Sequence, residues 1–531
     1  MRWFTLPVLL GLSLLVLAGW WLANRPVDPA PGVRVDKFAS LSFSAYRAWE
    51  SPLTDHFPTM AEADADMALL APVTRAVRTY AAVEGSLDTA ALAQKHGVKL
   101  WQGIWLGADR AKNDIEMARG IALARRYPGT IERVIVGNEV LLRRDLPPGE
   151  LIADIDKVKA AVKQPVAYAD VWDFWKQFPQ VAPHVDIMLI HLLPYWEDVP
   201  TGIDRAVAHV GDAYAEMKRL FPGSKIAIGE TGWPSRGRER ADAVPSRVNE
   251  TRFLREFIAL SQREHFDYNF IEAFDQDWKY QSEGVVGASW GIFDSDRAEK
   301  IPLRGAVTEN PAWLRYAGLS VGTGLILAMF GCIRVPPGSF RTHMAVLGAA
   351  MALGSACAWG RSIAGPEQFD RHVALAATVN LCASLLLSGL AIRRLAGGLP
   401  AAPARTGADA TRRVQGLHPF RLHGVFEDTL FVFSWAAAVL QMLLVFDPRY
   451  RDFPLPTFIV PILVTAGRIL ARDLPLAGGG REEAMLGGAL VAGAVASAIQ
   501  EGRLNGQSLA WNACALLLAV PPLLRFSRSR R

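Results

Sequence analysis

Val134-Ile135-Val136-Gly137-Asn138-Glu139 and Ile226-Ala227-Ile228-Gly229-Glu230-Thr231-Gly232-Trp233-Pro234 are the two stretches whose reading decides the fold. Each opens as a short Val- and Ile-rich run, the pattern of a strand buried on both faces, and each reaches a glutamate. Two carboxylates therefore stand at the C-terminal ends of two predicted strands. In a barrel of parallel strands that rim is where chemistry is built. Two carboxyl groups flanking one bond are the parts needed to break a glycosidic linkage.

Outward from these stretches, strand-like runs at 38–43, 76–80, 99–105, 133–137, 166–169, 186–191, 226–229 and 268–272 alternate with amphipathic stretches. The latter include 114–126, 149–162, 204–220 and 247–265, whose apolar residues recur three and four apart. Such alternation implies right-handed crossovers and a parallel sheet. Eight units in about 270 residues predict an α/β fold, a (β/α)8 TIM barrel, over an open sheet. Counting strands puts Glu139 at the end of the fourth and Glu230 at the end of the seventh, facing each other across the mouth.

The flanks read differently. Residues 3–23 form an uncharged, mostly apolar run of 21 residues between Arg2 and Asn24-Arg25-Pro26, long enough to cross a bilayer. The run exceeds the apolar core of a secretory signal and lacks a small-x-small cleavage site, so an uncleaved anchor is favoured over a signal peptide. Residues 26–32 read as an extended, proline-containing linker. After Pro311 seven apolar segments follow, at 316–333, 343–360, 373–392, 426–446, 454–470, 484–499 and 509–524. Small residues such as Gly487, Gly488 and Gly493 would let these helices pack closely in lipid. The expected domains are an anchor (1–25), a linker (26–32), a barrel (33–311) and an all-α membrane domain (312–531).

Charge is segregated in the same way. Residues 33–304 hold 39 acidic and 34 basic side chains, whereas 305–531 hold 12 acidic residues, 21 arginines and no lysine. A mildly acidic barrel excludes a nucleic-acid footprint, which needs clustered positive charge. Arginines between apolar runs point to membrane topology. With Arg2 cytoplasmic, the inner loops carry Arg334, Arg341, Arg393, Arg394, Arg405, Arg412, Arg413, Arg421, Arg472 and Arg481, and the tail carries Arg525, Arg528, Arg530 and Arg531. The outer loops hold Arg361, Arg371, Arg449, Arg451 and Arg503. Eight crossings result, with the barrel outside, an arrangement that suits a bacterial inner membrane and a periplasmic domain. Within the apolar segments Glu427, Asp428 and Arg468 lie near segment ends or alone, Arg468 being the charge most worth testing. All four cysteines, Cys332, Cys357, Cys382 and Cys514, fall inside apolar runs as small hydrophobes.

Asn138 before Glu139, and Gly232-Trp233-Pro234 after Glu230, resemble glycoside hydrolase family 17, retaining (β/α)8 enzymes acting on β-1,3-glucans. The resemblance covers about residues 41–304 and continues in Arg78-Thr79-Tyr80, His191-Leu192-Leu193-Pro194-Tyr195-Trp196, Glu272-Ala273-Phe274-Asp275 and Trp290-Gly291. It implies Glu139 as general acid/base, Glu230 as nucleophile and Asn138 as donor to a sugar 2-hydroxyl. Tyr195 is expected to hold Glu230 in place, and Arg78 and Tyr80 to line the site. Trp196, Trp233, Trp278 and Trp290 are candidate sugar platforms, since the apolar face of a pyranose stacks on an aromatic plane. Glu272 is a candidate for binding hydroxyls or orienting Glu139. His191 stands where many relatives carry asparagine, a difference expected to alter binding and leave the carboxylate pair untouched.

Neither metal-ligand spacing nor a phosphate-binding glycine loop is present, so no metal or cofactor is implied. The chain also resembles membrane-anchored bacterial proteins described as β-1,6-glucan synthases or glucanosyltransferases. That implies transfer between β-glucan chains beside a membrane glucan synthase or exporter, with hydrolysis as the alternative. A non-catalytic glycan-binding assembly protein is the rival from another class, and it predicts an altered carboxylate pair.

Overall fold

A computed structural model of the chain describes residues 4–33, 35–367, 369–400, 422–474 and 481–529. It divides into two compact units, Pro26–Val307 on one hand and Met1–Arg25 with Thr308–Arg531 on the other. The first is a closed barrel: β1 Phe38–Ser42, β2 Thr74–Arg78, β3 Lys99–Ile104, β4 Ile131–Asn138, β5 Val166–Val171, β6 Ile187–His191, β7 Ile226–Thr231 and β8 Tyr268–Phe270. Neighbours in sequence are neighbours in space, every pair is parallel, and Leu41 opposite Phe270 closes β8 onto β1. Each strand lies within two residues of its expected ends.

Successive strand residues alternate between two apolar clusters. Ala76, Trp101, Ile135, Ala167, Ala169, Ile187, Leu189 and Ala227 fill the barrel interior. Their chain neighbours Val77, Leu100, Val134, Val136, Val166, Met188 and Ile228 join Met117, Ile155, Met217 and Phe257 of the surrounding helices. A two-residue period with both faces dry explains why the strands read as continuous apolar runs.

The helices Arg110–Arg126, Pro148–Lys159, Ile203–Leu220 and Arg247–Glu264 correspond to the expected stretches. Met60–Leu70 and Thr89–His96 were not anticipated. The buried face of Met60–Leu70 is Ala63, Asp66, Met67 and Leu70, and Asp66 accepts from Arg47 at 2.9 Å and Arg297 at 2.8 Å. A buried carboxylate on the inner face spoils the apolar period that sequence reading relies on.

The stretch expected as a free linker is tied down. Val27 and Val307 exchange backbone hydrogen bonds of 2.9 and 2.8 Å, and Asp28 pairs with Arg255 at 2.8 Å. The two ends of the barrel unit thus lie side by side.

Among the described residues of the second unit, seven helices are long and apolar enough to cross a membrane: Thr5–Ala23, Trp313–Cys332, Phe340–Ala364, Arg371–Leu395, Gly424–Phe446, Arg481–Glu501 and Gly506–Ser527. The eighth expected crossing, Leu455–Leu470, has 16 residues. At 1.5 Å per residue it falls short of a hydrocarbon core of about 30 Å. All four cysteines are unbonded.

Arg468 is not alone. It donates to Glu427 at 2.8 and 3.2 Å, and Arg394 pairs with Asp473 at 2.6 Å. These pairs gather the C-terminal ends of Arg371–Leu395 and Leu455–Leu470 and the start of Leu422–Phe446 at one end of the bundle. The loop and tail arginines Arg405, Arg412, Arg413, Arg421, Arg530 and Arg531 lie outside the described residues.

Candidate active site

Glu139 is delivered by an irregularity in β4. The β4–β5 register slips between Ile135 and Asn138, Gly137 has φ +85°, and Glu139 itself has φ +52°. A Cβ at Gly137 would meet Val140 Cγ2 at 2.8 Å, so glycine is required there on two counts. The Glu139 amide still donates to the Ala169 carbonyl at 2.8 Å, which anchors the turned residue to β5. A left-handed backbone at glutamate costs about 1–3 kcal/mol, an expense found where a side chain must be aimed.

Glu230 needs no left-handed residue. It lies within β7 opposite His191, where the β6–β7 register slips between Ile190 and His191. Its side chain is 6% exposed, against 24% for Glu139. Oxygens of the two carboxylates lie within 4.8 Å of each other. That is close to the separation of about 5–5.5 Å that distinguishes retaining from inverting pairs.

Arg78, the last residue of β2 and almost wholly buried, binds both rims. Its Nη1 donates to the Gly229 carbonyl at 2.7 Å and to Glu230 Oε1 at 3.1 Å, and its Nη2 donates to Asn138 Oδ1 at 2.5 Å. With Oδ1 so engaged, the amide nitrogen is the free donor end of Asn138. The Tyr80 ring stacks 4.7 Å from the Arg78 guanidinium, and its hydroxyl meets Ser42 Oγ at 2.9 Å.

His191, at the end of β6, lies between the carboxylates. Its Nδ1 is 2.9 Å from Glu139 Oε1, and its Nε2 is 3.6 Å from Glu230 Oε1 with no hydrogen-bond partner. The expectation that His191 leaves the pair untouched is therefore corrected: β6 borders β7 directly, and the turned-in Glu139 reaches the ring from the other side. Arg143, five residues after Asn138, donates to the Asn138 carbonyl and, at 2.8 Å, to that of Leu106, clamping the Glu139 turn. Sequence reading passed over it, although Leu141-Leu142-Arg143-Arg144 is an unusual place for two charges.

Electrostatics separate the acidic groups. Burial pushes the Glu139 carboxyl up, but the His191 hydrogen bond and charge, with Arg143 and Arg78, outweigh it and hold it below the usual glutamate range. Burial pushes Glu272 up to about 7 against the opposing pull of Lys279, whose Nζ is 2.6 Å away. Asp170 rises to about 6, chiefly through burial. Glu283 rises through burial and through the charges of Glu139 and Glu230, which Lys279 opposes.

The remaining expected residues divide by exposure. Trp233 is 1% exposed and Trp290 3%, and the Trp233 indole donates to the Val244 carbonyl at 3.0 Å. Both rings are covered by protein. Trp196 is half-buried and stacks on Trp290 with centroids 6.2 Å apart. Trp278 is likewise half-buried, its indole donating to Gln276 at 2.9 Å. The Tyr195 hydroxyl donates to the Arg238 carbonyl at 2.5 Å, on the segment after β7. Glu139, His191 and Glu230 are the one group among the described residues whose metal-ligating atoms converge. The Arg78 guanidinium already bonded to Glu230 supplies positive charge there.

The profile of the BtgE/BtgC glycoside hydrolase domain matches residues 40–291. A glucan 1,3-beta-glucosidase of Schizosaccharomyces pombe is 31% identical over 257 residues, which make up 45% of this chain and 79% of that protein. The chain belongs to glycoside hydrolase family 17. A glucan 1,3-beta-glucosidase of Candida albicans is 25% identical over 263 residues, 45% of this chain and 85% of its own. A solved family-17 beta-1,3-glucanosyltransferase from Rhizomucor miehei aligns at 28% identity over 50% of this chain and 98% of its own, with a TM-score of 0.44. The family-17 match coincides with the barrel, which is a glycosidase or transglycosylase domain. The helices after residue 291 lie beyond it.

Proposed function

We propose that the barrel cleaves β-1,3-glucan with retention and passes the glycosyl group to another sugar hydroxyl, remodelling or branching the glucan with 1,3 or 1,6 linkages. The observation that carries this is the approach of two carboxylates from β4 and β7 to within 4.8 Å in a family-17 barrel. The name of the Schizosaccharomyces pombe relative supports the substrate class.

Glu230 attacks the anomeric carbon while Glu139 protonates the departing oxygen; the C–O bond breaks and a glycosyl ester forms on Glu230. Arg78 aims Glu230 through the 3.1 Å contact of its Nη1 with Oε1. In the second half Glu139 accepts the proton of the incoming hydroxyl as the ester opens. Water in that position gives hydrolysis and a sugar gives transfer. Asn138 offers its amide nitrogen to the 2-hydroxyl, and of the four expected platforms Trp196 and Trp278 are the two that are half-buried and not fully covered.

The arginine distribution supports a barrel on the side of the membrane away from Arg2, which in a bacterial inner membrane is the periplasm. A multi-helix anchor supports a fixed post beside a glucan synthase or exporter, which crosslinking in membranes followed by mass spectrometry would recover.

The decisive experiment incubates the full-length protein in detergent with a labelled linear β-1,3-gluco-oligosaccharide and profiles products by mass, with Glu230→Ala as control. Products longer than the substrate and absent from the variant establish transfer. Shorter products alone make the enzyme a hydrolase. No change removes β-1,3-glucan as substrate.

A further inference from the structure

Resting on that functional reading, one feature of the site goes beyond a two-glutamate mechanism. The imidazole of His191 is buried, touches Glu139 through Nδ1 and turns an unpartnered Nε2 towards Glu230. Gly229 makes room for it: a Cβ there would stand 3.0 Å from the ring Cδ2 and 3.1 Å from Nε2. The glycine before Glu230 thus leaves the space on β7 that the ring of β6 fills.

We propose that His191 is a positioning residue that forms a proton-sharing dyad with Glu139, storing on the imidazole the proton that Glu139 delivers to the departing oxygen. The imidazolium–carboxylate pair and the neutral imidazole–carboxylic acid pair contain the same single proton, exchanged across one 2.9 Å contact. In the first half-reaction that proton leaves the dyad for the glycosidic oxygen as the C–O bond breaks and the bond to Glu230 forms. In the second, the acceptor hydroxyl returns a proton to the dyad as the ester bond opens. Nothing else is consumed. A carboxyl held ionised by its neighbours is a poor acid by itself, and a proton donor one hydrogen bond away removes that difficulty. Two groups coupled so closely titrate as a unit.

The charges around His191 come from every side of the mouth. Arg78 on β2 pairs with Glu230 on β7, Glu139 follows β4, Arg143 clamps its turn, and Asp170 lies one residue before the end of β5. Glu272 and Lys279, with Glu283, follow β8. Of these, Glu139 alone is within hydrogen-bonding distance of the ring.

The test compares full-length protein in detergent with His191→Asn and His191→Gln. Both variants keep a polar side chain and remove the second proton site. The readout is the pH profile of kcat/KM on the linear β-1,3-gluco-oligosaccharide. The basic limb is expected to move to lower pH by about one unit or more in both variants, because the last proton then resides on Glu139 alone. Profiles that superimpose on the parent's overturn the dyad. Should a variant be too slow to profile, a dinitrophenyl β-glucoside, whose leaving group needs no proton, separates the causes. Turnover within about tenfold of the parent supports action through Glu139, whereas loss of this activity too places the effect on Glu230 or on folding and overturns the proposal. A parent protein inert towards both substrates, like Glu230→Ala, removes the functional reading itself and the dyad with it.

Discussion

The ends of β4 and β7 offer the same functional group built in opposite ways. Glu230 lies within β7 without a left-handed residue, although the register to β6 slips beside it, and it is buried and gripped by Arg78. Glu139 hangs from a register slip and a left-handed turn, is four times as exposed by side chain (24% against 6%), and its nearest ionisable partner is an imidazole. One carboxylate is held by a guanidinium from β2, and the other by an imidazole from β6. A nucleophile needs the first kind of environment and an acid/base needs the second.

The largest test of that contrast is Glu230→Ala, expected to lower kcat/KM on β-1,3-gluco-oligosaccharides by on the order of 10⁴-fold or more. Added azide should restore turnover of a dinitrophenyl β-glucoside with an inverted, α-configured glycosyl azide, read by NMR. A β-configured product would reverse the assignment of roles. Glu139→Ala comes next, with a loss of about 10²–10⁴-fold on substrates with a sugar leaving group. With dinitrophenol the first step should be spared and azide should yield the β-product. Equal losses on both substrate types would show that Glu139 does not act as an acid.

Arg78→Ala leaves Glu230 and the Asn138 side-chain Oδ1 without their buried partner, a change worth about 3–5 kcal/mol of barrel stability by thermal unfolding. An unchanged unfolding curve would mean water replaces the guanidinium and the rigid side of the contrast is softer than drawn. The smallest effect concerns Glu272, whose folded carboxyl titrates near 7, above its unfolded value. A raised acid stabilises the fold below its unfolded pKa and loses that contribution as pH rises through the folded one. Stability should therefore decline between about pH 4.5 and 7, and Glu272→Gln should flatten that decline in denaturant melts. An identical slope in the variant would assign it to other groups.

Strand periodicity and the two glutamate-bearing runs made the barrel and its carboxylates legible, because a both-faces-dry strand and a strand-end Glu are local features. What escaped was non-local. His191 lies 52 residues from Glu139 in sequence, and only barrel closure and the Glu139 turn bring them together. Trp233 and Trp290 carry the composition of sugar platforms but are spent on packing, which exposure decides and sequence does not. Helix Met60–Leu70 hid because Asp66 interrupts its apolar face; the Thr59–Glu62 capping box at its start was the signal that could have found it. In the membrane unit, composition marked the helices, while the pairing of Arg468 with Glu427 depended on how separate helices assemble.

The Val27–Val307 bridge has a consequence for how such a chain can be rearranged. A domain whose ends are adjacent is an insertion, removable without stretching its host. In the other unit, Thr5–Ala23 and Trp313–Cys332 meet through the Trp20 indole bonded to Ser320 at 2.9 Å and stacked on Tyr316, and Asn24 caps Asn310 at 3.0 Å. Formally, the glycosidase is a cassette spliced into the first turn of a helical hairpin. A short loop joining residue 25 to residue 308 should restore that hairpin, and the barrel could be exchanged for another enzyme with neighbouring ends without redesigning the anchor.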